Sequence, residues 1–356
     1  MNVQQNLPLS LQTEELKVSF ASLLCALNSW FSETARILPW RSDPTPYRVW
    51  VSEIMLQQTV VAAVIPYFNR FINRFPDVFS LASASPDEVL TLWSGLGYYS
   101  RAKNLYRSAK ILSENGFPHT RSGWEALPGV GPYTAGAILS IAFNQPEAIL
   151  DGNIERVWSR FRCVTRGNGF KEHLWRLSRY AVEITSRCGL SPSVINPALM
   201  ELGALICRPS APDCGRCPLS PRCLAFLRDA QSLYPQRRRR VPIETVEESV
   251  YIYMLPDGRV YLPPPSDSQR WRKGMRDFPT EEVPEWKPFA RFLGQSVTTH
   301  TVTRYKIIRT SNVYLLDYPG DDSLSDDVFF DNLSEIPCSA SCLKSFKILS
   351  LYRQWL

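Results

Sequence analysis

Leu127-Pro128-Gly129-Val130-Gly131-Pro132-Tyr133-Thr134-Ala135-Gly136 lies between two segments of helical pattern. Two glycines permit a tight reversal and the close approach of another backbone. The helix that follows would offer free N–H groups at its N-terminus, where a phosphate can bind. Glycine between helices is also an ordinary connection, so the string alone decides little. On both sides the chain keeps a helical pattern, from about residue 12 to residue 228. Apolar side chains recur three and four apart, as in Val49, Trp50 and Ile54, then Val60, Val64, Tyr67, Phe68 and Phe71. Pro76, Pro86, Gly95, Gly97 and Gly116 punctuate the segments.

Downstream, Cys207, Cys214, Cys217 and Cys223 form C-x6-C-x2-C-x5-C. The chain has nine cysteines. An odd total with this clustering fits a reduced compartment and a metal site better than a disulfide framework. Zinc also accepts four thiolates, but its sites usually pair two close cysteines with two distant ones. One compact loop supplying all four ligands suits a cubane cluster. Arg208, Arg216 and Arg222 each adjoin a ligand; they either face phosphates or simply solvate the loop. The remaining cysteines, including Cys25, Cys163 and Cys188, read as core residues.

Composition changes after Phe226. Arg237 to Arg240 run together between Pro235 and Pro242, which reads as a linker over 229–246, solvated or facing phosphates. Beyond it the pattern turns to strands. Val250, Ile252 and Met254 share one face, with Tyr251 and Tyr253 on the other. Pro256-Asp257-Gly258 makes a turn and Val260 to Leu262 returns. Residues 311–318 read as a further strand, and the stretch from about Ser341 as a helix. The expected architecture is a mostly α region over 1–228, the linker, and an α+β domain over 247–356.

The net charge of +6 is compatible with a nucleic-acid partner without being diagnostic of one. No stretch of about 20 apolar residues is present, so no membrane span is expected. The polar N-terminus, with Glu14 and Glu15, lacks the layout of a secretory signal or a presequence. The expected location is the cytoplasm or nucleoid.

The hairpin and the cysteine spacing together resemble the endonuclease III superfamily of helix-hairpin-helix glycosylases. Within it the chain resembles the MutY-type adenine DNA glycosylases. The matching stretches are 38–41, 51–59, 93–105, the hairpin, 150–157 and the four cysteines. The resemblance is close over about 30–228 and weaker beyond. It implies a helix-hairpin-helix glycosylase fold with an iron–sulfur loop and a 4Fe-4S cluster on the four cysteines. It also implies a C-terminal Nudix-like domain for lesion recognition.

Releasing adenine requires a protonated leaving base and a stabilised sugar cation, which two carboxyl groups in different environments can provide. The resemblance implies Glu53 as the acid and Asp151 as the second carboxylate, with Asn153 as its partner. Burial among apolar neighbours would keep Glu53 protonated near neutral pH. On pattern alone Glu53 reads as a solvated helix residue and Asp151 as an N-cap, a role compatible with remaining ionised. The lyase branch carries a lysine at the position of Tyr133, so base removal without strand nicking is expected. Core packing is the plain alternative for Tyr133.

The flipped adenine must leave the stack. Leu56, Gln57 and Gln58 resemble the segment that probes the duplex, and Gly129 and Gly131 the phosphate grip. Arg41 matches a DNA-contacting motif. Tyr98, Tyr99, Arg101 and Lys103 read as an aromatic and basic surface or as an ordinary amphipathic helix. In the C-terminal domain the recognition loop, typically His-x-Phe-Ser-His, reads His300-Thr301-Val302-Thr303-Arg304 here. Thr303 retains a hydroxyl for the oxidised base, while Val302 and Arg304 replace the aromatic and the second histidine. No Glu-rich Nudix box is present, so no nucleotide hydrolysis is expected. The expected function is a monomeric, monofunctional glycosylase acting on double-stranded DNA with adenine opposite 8-oxoguanine or guanine. Its rivals are a bifunctional glycosylase/lyase of the same fold and a non-catalytic lesion-binding module.

Overall fold

The computed structural model describes residues 14–187, 189–236, 242–265, 274–302, 304–317, 328–333 and 336–352. The four-arginine run, Cys188 and Thr303 lie outside the described residues. The described chain falls into two compact units, one of Met1–Gln57 with Glu114–Arg238, the other of Gln58–Ser113 with Arg239–Leu356. In chain order the helices are α1 (Glu14–Thr34), α2 (Pro46–Leu56), α3 (Val61–Arg74), α4 (Val78–Ser83), α5 (Pro86–Trp93) and α6 (Ser100–Asn115). Then come α7 (Arg121–Glu125), α8 (Pro132–Ala142), α9 (Gly152–Arg162), α10 (Phe170–Arg187), α11 (Pro192–Leu205) and α12 (Leu224–Leu227). Strands β1 (Glu244–Met254), β2 (Val260–Tyr261), β3 (Ala290–Val302), β4 (Tyr305–Leu316) and β5 (Phe329–Phe330) precede α13 (Ala340–Ile348).

Local chemistry explains most helix starts. Thr45 caps α2 through its hydroxyl, with Pro46 in the first turn where a missing N–H costs nothing. Asp77 and Ser80 form a capping box on α4, and Ser85 caps α5. Asp151 caps α9 by accepting from the Ile154 amide.

In the first unit, Leu24 and Leu27 of α1 pack with Ile154 and Trp158 of α9, Leu174 of α10, and Ile195, Leu199 and Leu202 of α11. The hairpin between α7 and α8 turns at Gly129, whose φ of +79° is the left-handed region that favours glycine. Cys25 is exposed, because the apolar stripe of α1 runs through Phe20, Leu24 and Leu27 instead; Cys163 is half-buried in the left-handed cap of α9.

In the second unit the sheet has order β3-β4-β1-β2-β5, with β1 and β4 parallel and the other pairs antiparallel. This is the α+β arrangement expected. The alternation along β1 serves two cores. Val250, Ile252 and Met254 join Phe278, Val313 and Cys342, while Tyr253 packs with Trp286, Leu316 and Phe329.

One boundary between the units, after Arg238, falls within the linker expected over 229–246, but the first unit is not continuous in sequence. Residues 58–113, helical like their neighbours in sequence, group with the sheet because their turn is hydrogen-bonded to the start of α13. Ser94 Oγ donates to the Cys338 carbonyl at 2.6 Å, and the Ala340 amide donates to Tyr99 Oη at 2.8 Å. Two residues read as a basic aromatic surface or an amphipathic helix are buried. Tyr99 is 8% exposed, and Arg101 is 6% exposed, donating to the Gly97 carbonyl and lying over Trp93 and Tyr98. Tyr98 stays outside, 39% exposed with φ of +50°.

Candidate active site and cysteine loop

Glu53 lies on α2, 5% exposed between Trp50, Ile54 and Met55. Burial pushes its carboxyl up to about 7. A hydrogen bond with the Tyr133 hydroxyl opposes the shift, the charge of Asp151 adds to it, and Arg41 opposes it. Tyr133, in the first turn of α8, is held well above its usual value by desolvation and then by the charges of Glu53 and Asp151, so it stays a donor. Its hydroxyl also lies 3.2 Å from Met200 Sδ, a weak acceptor that cannot compete with a carboxylate for the proton.

Asp151 accepts the Ile154 amide at 2.7 Å on one oxygen and Asn153 Nδ2 at 2.9 Å on the other. Burial raises its pKa, and these donors, with the charge of Arg156, hold it back. Glu53, Tyr133, Asp151 and Asn153 therefore form one site within the first unit.

Arg156 extends it. Its Nη2 donates to Asn153 Oδ1 at 2.9 Å and to the Gly203 carbonyl at 2.7 Å, and its Nε to the Cys207 carbonyl at 2.6 Å. One side chain thus joins the partner of Asp151 to the first cysteine of the loop. The sequence reading missed it. The available signal was spacing: Asn153, Arg156 and Arg160 share one helix face.

Gly203 makes this contact possible. A Cβ there would lie 2.5 Å from Asn153 Cβ and 3.0 Å from its Cα. Gly203→Ala must therefore push α11 off the start of α9. The expected loss is about 1–3 kcal/mol of stability with a matching fall in activity, read by denaturant unfolding and single-turnover assay. An unchanged midpoint would refute the close packing.

Gln57 donates to the Gly129 carbonyl at 3.2 Å and to Thr134 Oγ1 at 3.5 Å, linking the end of α2 to the hairpin. Leu56 ends α2 half-buried, and Gln58 takes a left-handed φ of +59°. Gly131 caps α8 with no side-chain acceptor, which leaves first-turn N–H groups available to a ligand. Arg41 donates to Glu201 Oε2 at 2.9 Å and lies over the Phe31 ring, with 22% of its side chain exposed. Glu201 also accepts from Arg36 at 2.7 and 2.8 Å. Burial would raise the Glu201 carboxyl, and the two arginines instead bring it down to about 2.

Cys207, Cys214, Cys217 and Cys223 line one cavity with Val157, Phe161, Leu202 and Ile206. Burial and then the neighbouring cysteines push Cys217 up to about 12, apart from one opposing backbone hydrogen bond. Among the described residues no three cysteine, histidine or acidic side chains converge as on a single ion. Four cysteines lining one cavity are a donor set that fits a cluster taking one thiolate per iron.

Among the described residues no helix is long and apolar enough to cross a membrane. Residues 51–179 match the HhH-GPD superfamily of base excision DNA repair proteins. An adenine DNA glycosylase of Buchnera aphidicola subsp. Baizongia pistaciae is 45% identical over 204 residues, 56% of this chain and 57% of the relative. The chain therefore spans less than two thirds of that relative's length. An adenine DNA glycosylase of Buchnera aphidicola subsp. Schizaphis graminum is 36% identical over 253 residues, 69% of this chain and 71% of the relative. Among solved structures, a thermostable thymine-DNA glycosylase is similar with a TM-score of 0.50 and 26% identity, over 60% of this chain and 96% of that one. The chain belongs to the adenine DNA glycosylases of the HhH-GPD superfamily of base excision DNA repair proteins.

Proposed function

We propose that this protein hydrolyses the N-glycosidic bond of adenine mispaired with 8-oxoguanine or guanine in double-stranded DNA, without a lyase step. The observation that carries the reading is a buried carboxyl near neutrality, Glu53, sharing one site with the donor-held carboxylate Asp151. Glu53 gives its proton to the leaving base. The Tyr133 hydroxyl orients that carboxyl and steadies the anion left behind. Asp151, ionised, stabilises the sugar cation or attacks it to form a transient adduct that water then opens. Asn153 keeps Asp151 aimed. Tyr133 holds the hairpin position where the lyase branch has lysine, so no Schiff base forms there.

DNA contact falls to residues the hairpin and the probing segment provide. Gly129 and Gly131 let a phosphate approach the start of α8. Leu56, Gln57 and Gln58 face the duplex beside the extruded base, and Arg41 braces the site. Cys207, Cys214, Cys217 and Cys223 hold a 4Fe-4S cluster, which supplies a covalent cross-link of the loop.

The opposite base is read in the second unit, around the β3–β4 turn. Val302 and His300 line a cavity of about 260 Å³ with Tyr98 and Lys344. Arg304 is held by Glu244 at 3.1 Å and Tyr305 Oη at 2.9 Å. With Val302 in place of an aromatic, the Thr303 hydroxyl leaves one hydrogen bond to tell the oxidised base from guanine. One neutral hydrogen bond supports a preference of no more than about tenfold.

Single-turnover assays on duplexes with adenine opposite 8-oxoguanine, guanine or cytosine test both statements, with alkali added only afterwards. The expected result is release opposite the first two at rates within about tenfold, and nicks only after alkali. Nicks before alkali, trapped by borohydride, would instead establish the lyase reading. No release from any duplex by protein that contains iron would leave a lesion-binding module.

A further inference from the structure

The loop that carries the cysteines is closed by a residue outside it. Arg160, on α9, is 3% exposed. Its Nη1 donates to the Arg208 carbonyl at 2.7 Å and to Cys207 Sγ at 3.4 Å. Its Nη2 donates to the Pro209 carbonyl at 2.9 Å. Its Nε donates to the carbonyls of Gln231 at 3.0 Å and Tyr234 at 2.9 Å. One guanidinium thus joins the entry of the loop at 207–209 to the chain that leaves it at 231–234.

These partners are four neutral backbone carbonyls and a sulfur; none of them is a carboxylate. A guanidinium removed from water ordinarily needs a counter-charge. The acid on the same helix, Glu155, is engaged by Arg166 and Lys171. What Arg160 faces is the cysteine-lined cavity, whose wall it forms with Cys207, Cys214, Cys217 and Cys223. Thiolates bound to a cluster bring negative charge into that cavity. A buried cation and an N–H···S contact both favour the more reduced, more negative state.

We propose that Arg160 is a positioning residue for the cluster, its buried counter-charge and the clasp of its loop. It raises the reduction potential and slows cluster loss. The inference rests on the cluster reading of the four cysteines, which iron and sulfide analysis of the parent protein tests separately.

The experiment uses the full chain, purified with its cluster. It compares the parent with Arg160→Gln, Arg160→Lys and the control Arg166→Gln by voltammetry and by bleaching with an iron chelator. Arg160→Gln should move the potential to a more negative value and shorten the bleaching half-time at least about tenfold, as loss of charged hydrogen bonds implies. Arg160→Lys keeps the charge without the fork, so it should hold most of the potential but still bleach faster. Arg166→Gln should match the parent. An unchanged potential in Arg160→Gln or a lowered one in Arg160→Lys equal to it overturns the counter-charge. An equal shift in Arg166→Gln overturns it too. Where Arg160→Gln yields no cluster-bearing protein, the lysine variant decides alone: a parental bleaching rate overturns the clasp. A parent protein without iron overturns the cluster reading itself.

Discussion

Glu53→Gln is expected to lower the single-turnover rate of adenine release by about 10²–10⁴-fold, the usual contribution of a positioned general acid, while making the protein more stable. The two effects share one cause. Burial holds the Glu53 carboxyl at about 7 instead of its ordinary 4.5. The folded protein therefore keeps the proton over a range where the unfolded chain has lost it. Below about pH 4.5 both states are protonated and stability is unaffected. As pH rises toward 7 the unfolded chain ionises and the folded state does not, so stability is lost progressively. Above 7 the loss levels off at about 3 kcal/mol, taking 1.36 kcal/mol per pKa unit. Glutamine fills the same space, still accepts from Tyr133, and has no charge to desolvate. Its gain over the parent should accordingly be small at pH 5 and approach about 3 kcal/mol at pH 8. Denaturant unfolding at the two pH values measures it. A gain equal at both pH values, or a variant that still releases adenine at the parental rate, would remove Glu53 from the acid role.

How far this site was legible in the sequence depends on the residue. The hairpin and the run around Asp151 are local patterns, and the structure gives each the local form expected, including the cap on α9, while the four spaced cysteines line one cavity. The sheet alternation at Val250, Ile252 and Met254 was equally local. What sequence could not give was depth. Tyr99 and Arg101 read as a basic aromatic surface or an ordinary amphipathic helix, but Tyr99 is buried against the start of α13, more than two hundred residues away, and Arg101 against Trp93 and Tyr98. The reverse holds for Cys25, which is apolar by type but sits off the buried stripe of its helix. Arg156 and Arg160 were hidden for a different reason. Two arginines in a helix usually face water, and most of their acceptors here are backbone carbonyls, which leave no mark in a sequence. The same blindness explains Gly203, whose meaning is the Asn153 backbone pressed against it.

Asp151→Asn should separate two jobs that one carboxylate performs. As the cap of α9, asparagine accepts the Ile154 amide about as well as aspartate, so unfolding stability should change little. Asp151→Ala, which loses the cap, should cost about 1 kcal/mol in addition. As the anion beneath the sugar cation, asparagine has nothing to offer, and release should fall by about 10²–10³-fold, the scale of removing one preorganised electrostatic group. The pH profile carries a further consequence. Under limiting DNA the parent rate should rise with pH as Asp151 ionises and fall as Glu53 loses its proton near 7, a bell whose two limbs belong to the coupled pair. The Asp151 charge helps raise Glu53, so removing it should move the alkaline limb of the residual activity to lower pH. An Asp151 whose charge does not reach Glu53 would leave that limb in place. An alkaline limb that does not move would uncouple the two carboxyls, and parental release from Asp151→Asn would leave Asp151 as a helix cap and nothing more.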